Sequence, residues 1–277
     1  MPREAFRRIR TPVARRIWRD ACLVAGGVGL ILLAFLVWVG FTEKNWGSLR
    51  FGGDYDYCMN LARAWLHDGS YFHANQLVSG PHDWLWGDVV YPPVALWLFV
   101  PFSFLPPELW YGIPFAVIAA AMWRLRPALW AWALIPLLLV SPEAVTELLS
   151  GNPLIWVVAI LFASVAWGSP ASLILFKPSL LPFGLFGLNR RAWWLGVGLV
   201  ALLTLPFADL TVTWVRVLLD THGRLNPMYN IEEFPYVAIP LVAWAGSSRF
   251  RTARLAQLLD AWTAPSQAEP DPAPGAV

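Results

Sequence analysis

The uncharged apolar run from Cys22 to about Phe41, preceded by Arg3, Arg7, Arg8, Arg10, Arg15, Arg16 and Arg19, constrains the fold more than any other feature of the chain. A run of about twenty residues matches the hydrocarbon thickness of a bilayer, where the backbone must satisfy its own hydrogen bonds as a helix or a closed barrel. It is too long for the apolar core of a signal peptide and ends in VWVGF without a small-residue cleavage site, so it reads as an uncleaved first span with its N-terminus inside. Hydrophobic residues make up 57% of the 277 and charged residues only 14%, which extends the reading to an all-α, polytopic helical membrane protein. The net charge of +2 is small and the basic residues gather at the edges of apolar runs, which excludes a nucleic-acid surface. Cys22 opens the first span and Cys58 follows the acidic pair beyond it, so the two are expected at opposite membrane faces and neither a disulfide nor a cysteine metal site is expected.

Residues 42–91 form one long polar segment with six acids, three basic residues and three of the four histidines, and are expected outside. Within it DYDYCMNLARAWLHDG reads as a helix lying along the interface, with Tyr57, Leu61, Ala64 and Trp65 on one side and Gly69 as its end. The next stretch reads as one crossing from about Glu108 to Leu125 preceded by an interfacial or re-entrant helix, because two crossings would place Arg124 and Arg126 outside. A span over about 128–148 then runs outward, Ser150 to Pro153 turn, and about 154–167 returns. The segment Ser169 to Asn189 is interrupted at Lys177-Pro178 and again at Pro182. Two half-helices meeting at membrane depth would bring Arg190 and Arg191 back to the cytoplasm, and broken helices of this kind line cavities. The remaining spans are expected over about 192–207 and 234–246, with Arg249, Arg251 and Arg254 inside. The chain thus divides into a basic cytoplasmic N-terminus (1–21), a membrane domain (22–246) with external loops at 42–91 and 209–233, and a cytoplasmic tail (247–277) that reads as disordered from Pro265 on. This arrangement puts fourteen of the twenty Lys and Arg residues inside, five outside and Lys177 in the membrane.

Two features carry chemistry. Asp54 and Asp56 sit where the chain leaves the first span, and an external carboxylate there suits a general base that takes the proton of an acceptor hydroxyl. Lys177 is a cation inside an apolar segment, a costly placement that is usually functional; its ammonium suits a departing phosphate in a site of low dielectric. Arg63 could assist from the interfacial helix. Asp-x-Asp could also hold a divalent metal with phosphates, but no further acid obviously converges and no metal is favoured. His67, His73, His82 and His222 are irregularly spaced, which is no zinc motif, and tryptophans such as Trp84, Trp86, Trp193 and Trp194 are most simply interfacial anchors.

The order GGDYDY, AWLHDGSYF, YPPVALWLFVPFSFLP, SGNPLIW and LILFKPSLLPF before two arginines resembles the GT-C glycosyltransferases, closest to family 87, over roughly residues 20–245. That family contains polyprenyl-phosphate-mannose-dependent α-mannosyltransferases of the bacterial envelope. The resemblance implies a GT-C-like fold and an inverting enzyme of the bacterial cytoplasmic membrane whose site faces outside. It would move a sugar, mannose by family prior, from a polyprenyl-phosphate donor to a glycolipid or glycan acceptor, with no cofactor. The family's base carries over onto Asp54, with Asp56 second and Tyr57 near the tyrosine that follows that base. Its Lys-Pro element falls on Lys177 and Pro178, its Tyr-Pro-Pro on 91–93 and its Gly-Asn turn on Gly151 and Asn152, so Tyr57, Arg63, His67, Tyr91, Asn152 and Lys177 are expected around the substrates. The glutamine common in that turn is absent here, and members of the family are usually longer. A lipid-linked sugar transporter or flippase and a non-catalytic membrane subunit stay open as alternatives.

Overall fold

The computed structural model describes residues 12–42, 52–78, 80–83, 85, 87–140, 142–222 and 233–247; the expectations for 1–11, for most of the tail, and for Trp84 and Trp86 lie outside them. The described chain is helical: α1 (Pro12–Thr42), α2 (Gly53–Asp68), α3 (Leu96–Phe102), α4 (Pro107–Leu125), α5 (Leu129–Leu139), α6 (Pro142–Ser150), α7 (Leu154–Trp167), α8 (Arg191–Thr204), α9 (Ala208–Asp220) and α10 (Phe234–Ala245). Two helical stretches, Arg16–Val39 and Arg191–Asp220, are long and apolar enough to cross a bilayer, and the count rises to four if each of two bent pairs is one span. One such pair is α3 with α4, bent by 111°, as the reading of a single crossing preceded by a folded-back helix requires. The other, α5 with α6, bends by 75°, so the continuous span expected over about 128–148 is in fact broken where Pro142 cannot continue the ladder.

Two further corrections concern length and conformation. The segment beyond 208, expected as an external loop, stays helical to Asp220. Asp209, Thr213, Arg216 and Asp220 recur at helical spacing and form one polar stripe, while Val212, Val215 and Leu219 stay exposed beside it. The polar residues that read as loop are one face of an amphipathic helix. The interrupted segment is not a pair of half-helices: it runs as 3-10 turns over Ala171–Phe176 and Pro178–Leu180, a single helical turn Leu181–Gly184 and a last 3-10 turn Leu185–Gly187. Pro178 and Pro182 each remove a donor, which leaves runs too short for a stable α-helix.

The molecule has two chemically different ends. At one, Ala128 N–H donates to Gly246 O (2.8 Å) and Arg124 Nε to Ala166 O (2.8 Å), and Arg190 lies beside Gly168. α1 runs parallel to α5, with Gly26 against Ala133 and Gly29 against Leu137, which carries Arg16 and Arg19 to that same end. At the other end Gly52 N–H donates to Leu149 O (3.0 Å), and residues His82–Asp83 pair in parallel with Thr221–His222, a two-residue pairing that ties the first long loop to the end of α9. Both arms of the interrupted segment have their feet at the arginine end: Ser172 Oγ donates to Trp193 O (2.6 Å) and Trp193 Nε1 to Gly184 O (3.0 Å). Lys177 is the tip of this hairpin, pointing toward the acidic end. Between the ends lies the core, centred on fully buried Trp110, whose ring meets Tyr55, Phe99, Phe102 and Trp156 at centroid distances of 5.8, 6.2, 5.3 and 5.5 Å.

Candidate active site

The helix that delivers Asp54 starts at Gly52, whose φ of 74° lies in the left-handed region that glycine adopts without strain. Asp54 then falls in the first turn of α2, where the exposed N–H groups and the helix dipole favour a carboxylate. Its carboxylate accepts on Oδ2 from two described residues, from Ser150 Oγ (2.8 Å) and Asn152 Nδ2 (2.9 Å). Those donors come from the turn between α6 and α7, nearly a hundred residues downstream. Gly151 makes the turn at φ 76°, its carbonyl accepts from Trp110 Nε1 (2.8 Å), and a Cβ built there would lie 2.5 Å from Tyr111 Oη. The buried aromatic core therefore fixes the loop that fixes Asp54.

Asn152 is the hinge of the cluster. Its Oδ1 accepts from Leu154 N–H (2.9 Å) and from Lys177 Nζ (3.2 Å) while its Nδ2 donates to Asp54, so the two faces of one amide join the two groups that the sequence singles out. Two donors on one side and a carboxylate on the other fix the amide's orientation. Lys177 Nζ also forms a 2.7 Å ion pair with Glu233 Oε1, both side chains being about nine-tenths buried, and stands 5.9 Å from the centroid of the Tyr91 ring. A cleft opens here, walled by Val90, Tyr91 and Pro92 on one side and 177–179 on the other, with Trp214 alongside donating to Val90 O (3.0 Å).

The groups around this chain of contacts report its charge. Burial pushes the Cys58 thiol, one turn after Asp54, well above its ordinary range; Asp54 adds to the rise and Lys177 opposes it. Burial likewise raises the Tyr91 phenol, and Cys58, Asp54, Glu147 and Glu233 raise it further. Tyr57, three residues after Asp54 and so on its side of α2, has a buried hydroxyl with no hydrogen-bond partner among the described residues; burial raises it, with Cys58, Asp88 and Asp54 adding.

Of the expected residues, Asp54, Tyr57, Tyr91, Asn152 and Lys177 come together, and three do not. Asp56 is helical, so two positions turn it about 200° away from Asp54. Arg63 reaches away to Ser103 O (3.1 Å) and Asn60 Oδ1 (3.3 Å). His67 sits exposed in the last turn of α2, 3.7 Å from Asp68, about 20 Å along the axis from Asp54 at 1.5 Å per residue. The buried face of α2 is Tyr55, Cys58, Met59, Leu61 and Ala62 rather than the stripe through Ala64. Glu233 and Ser150 were missed. An acid just before an apolar helix is the signal for Glu233, since a lysine at depth needs a partner; Ser150 lies in the turn already singled out. Among the described residues no three His, Cys, Asp or Glu side chains could hold a metal together. Comparison of the chain with protein-family models, with curated proteins and with solved structures finds no match.

Proposed function

We propose that the protein is a GT-C-like membrane glycosyltransferase that moves a sugar, mannose in the first instance, from a polyprenyl-phosphate donor to a glycolipid or glycan acceptor at the non-cytoplasmic face of a bacterial cytoplasmic membrane. The observation that carries this reading is the Asn152 amide, bonded to Asp54 Oδ2 on one side and to Lys177 Nζ on the other. A base and a cation held one side chain apart are what inversion at an anomeric carbon asks for. Asp54, whose Oδ1 has no hydrogen-bond partner among the described residues, takes the acceptor's hydroxyl proton as the acceptor oxygen bonds to C1 from the face opposite the phosphate. The C1–O bond breaks with its electron pair going to the phosphate oxygen, and Lys177, lining the cleft, compensates the charge that grows there. Tyr91 packs beside that ammonium, and Tyr57 offers on the Asp54 side a hydroxyl without a partner among the described residues. The separation of the arginine end from the acidic end supports the orientation, since basic residues favour the cytoplasmic side. No metal is assigned a part.

The test is transfer from polyprenyl-phosphate mannose to candidate glycolipid acceptors by the purified chain, comparing wild type with Asp54→Asn and Asp56→Asn. The expectation is loss of at least a hundredfold for Asp54→Asn and retention for Asp56→Asn, whose side chain faces elsewhere. Transfer that survives Asp54→Asn removes the base. The interrupted segment with Lys177 at its tip also suits transport of a lipid-linked sugar, and this second reading is selected if the intact donor crosses proteoliposomes with no sugar released.

A further inference from the structure

The ammonium that would meet the phosphate is already in company. Lys177 Nζ is paired with Glu233 at 2.7 Å and bonded to Asn152 at 3.2 Å, and Asp54 lies across the same amide. A third carboxylate, Glu147, bears on Tyr91 together with Asp54 and Glu233. Cys58 and the phenols of Tyr57 and Tyr91 are kept neutral by burial, and Arg63 is turned toward Ser103. Lys177 is therefore the one cation this cluster contains among the described residues. The geometry points to Glu233 as a specificity residue that selects the charge state of the lipid phosphate. Two carboxylates and one ammonium give the Asp54–Lys177–Glu233 trio a net charge of −1, which admits a singly charged phosphodiester and disfavours a phosphate monoester.

This inference rests on Lys177 being the phosphate contact. The donor phosphate is esterified twice and holds one negative charge. Transfer moves the acceptor proton to Asp54 and leaves a lipid monoester carrying about −1.5 to −2 at neutral pH, so the total charge in the site does not change in the step itself. When Asp54 returns its proton to water, the trio is again at −1 and faces a near-dianion. Glu233 thereby biases the site toward substrate and against product. Without its charge, Lys177 would hold the monoester more tightly than the donor.

The experiment measures binding of a short-chain polyprenyl phosphate and of the matching polyprenyl phosphomannose to the full chain in nanodiscs at pH 8. The proteins are wild type, Glu233→Gln, Glu233→Asp and Lys177→Ala. Wild type is expected to prefer the diester. Glu233→Gln should shift the preference toward the monoester by about tenfold, since one unit charge at about 8 Å in an effective dielectric of about 20 is worth at least that factor, and Glu233→Asp should retain the wild-type ratio. A Glu233→Gln protein that binds both lipids with an unchanged ratio overturns the inference. Should that variant not fold, wild type alone decides: its preference for the diester must fade between pH 8 and pH 5.5 as the dianionic monoester takes up one proton and becomes a monoanion, and equal affinities at pH 8 overturn it. If neither lipid binds, or binding is the same in Lys177→Ala, the phosphate is not at this lysine and the underlying reading fails with it; Lys177-dependent binding that ignores Glu233 defeats charge selection alone.

Discussion

Replacing Lys177 by methionine removes the ammonium with little change of volume and leaves Glu233 buried beside it, its side chain 8% exposed. At 2.7 Å and an effective dielectric of about 20 the attraction between the pair is about 6 kcal/mol, most of which offsets the desolvation of two buried ions. What the substitution exposes is the uncompensated partner, and breaking such a pair from one side costs about 3–5 kcal/mol. The same argument makes the double variant Lys177→Met, Glu233→Gln the more stable of the two, because no buried charge remains. Reversible unfolding in mixed micelles, with Glu233→Gln completing the cycle, should return a coupling of at least about 1.5 kcal/mol. If the double variant is destabilised by the sum of the two single changes, the pair does not form in the folded protein, and the charge count at the cluster collapses with it.

Gly151→Ala should lose more than about 2 kcal/mol, since the left-handed backbone penalty of about 1–2 kcal/mol is joined by a Cβ at 2.5 Å from Tyr111 Oη, whereas Gly52→Ala, with nothing within 4 Å, should lose only the backbone part; thermal midpoints of the two decide. The raised Cys58 thiol favours the folded state fully at pH values below the unfolded thiol's range and loses that contribution as the pH rises through and past it. The fall in unfolding midpoint above about pH 9 should therefore be shallower in Cys58→Ala, and an unchanged slope would count against the burial of that thiol. Single cysteines at the exposed positions Asp83 and Arg191 should label with impermeant maleimide from opposite sides of oriented vesicles; labelling from one side breaks the two-ended arrangement.

Much of this architecture is legible because it follows from rules that act locally or along a single element. Gly69 ends α2 with φ 78° because glycine alone takes that conformation freely. The reading of a folded-back helix before α4 rests on Arg124 and Arg126, and α3 and α4 do meet at a bend of 111°. What misled was the polarity of 209–220: five polar residues in twelve read as loop when counted, yet four of them, Asp209, Thr213, Arg216 and Asp220, form one helical stripe when spaced. Asp54 and Asp56 read as a pair along the sequence and separate on a helix, since a spacing of two shares a face only in an extended chain. Arg63 and His67 failed for the same reason, being placed near the site in sequence and carried away at 1.5 Å per residue.

Glu233 was illegible on different grounds. Its role depends on α10 returning to the end of the molecule where the hairpin tip arrives, a tertiary coincidence between positions 177 and 233 that no local pattern encodes. Yet the physics that identifies Lys177 already requires such a residue: a buried ammonium without a counter-charge leaves its desolvation uncompensated, at a cost of several kcal/mol. The useful inference from a buried cation is thus a search for the acid that keeps it charged, among the acids flanking apolar helices at the same end. Asn152 completes the argument. An amide can satisfy a carboxylate and an ammonium at once, with its two ends oriented by the charges themselves, so the turn residue that joins Asp54 to Lys177 has to be one that offers both a donor and an acceptor. Aspartate there would set a second carboxylate against Asp54, and leucine would leave both ions without their bond; glutamine keeps the chemistry but not the reach.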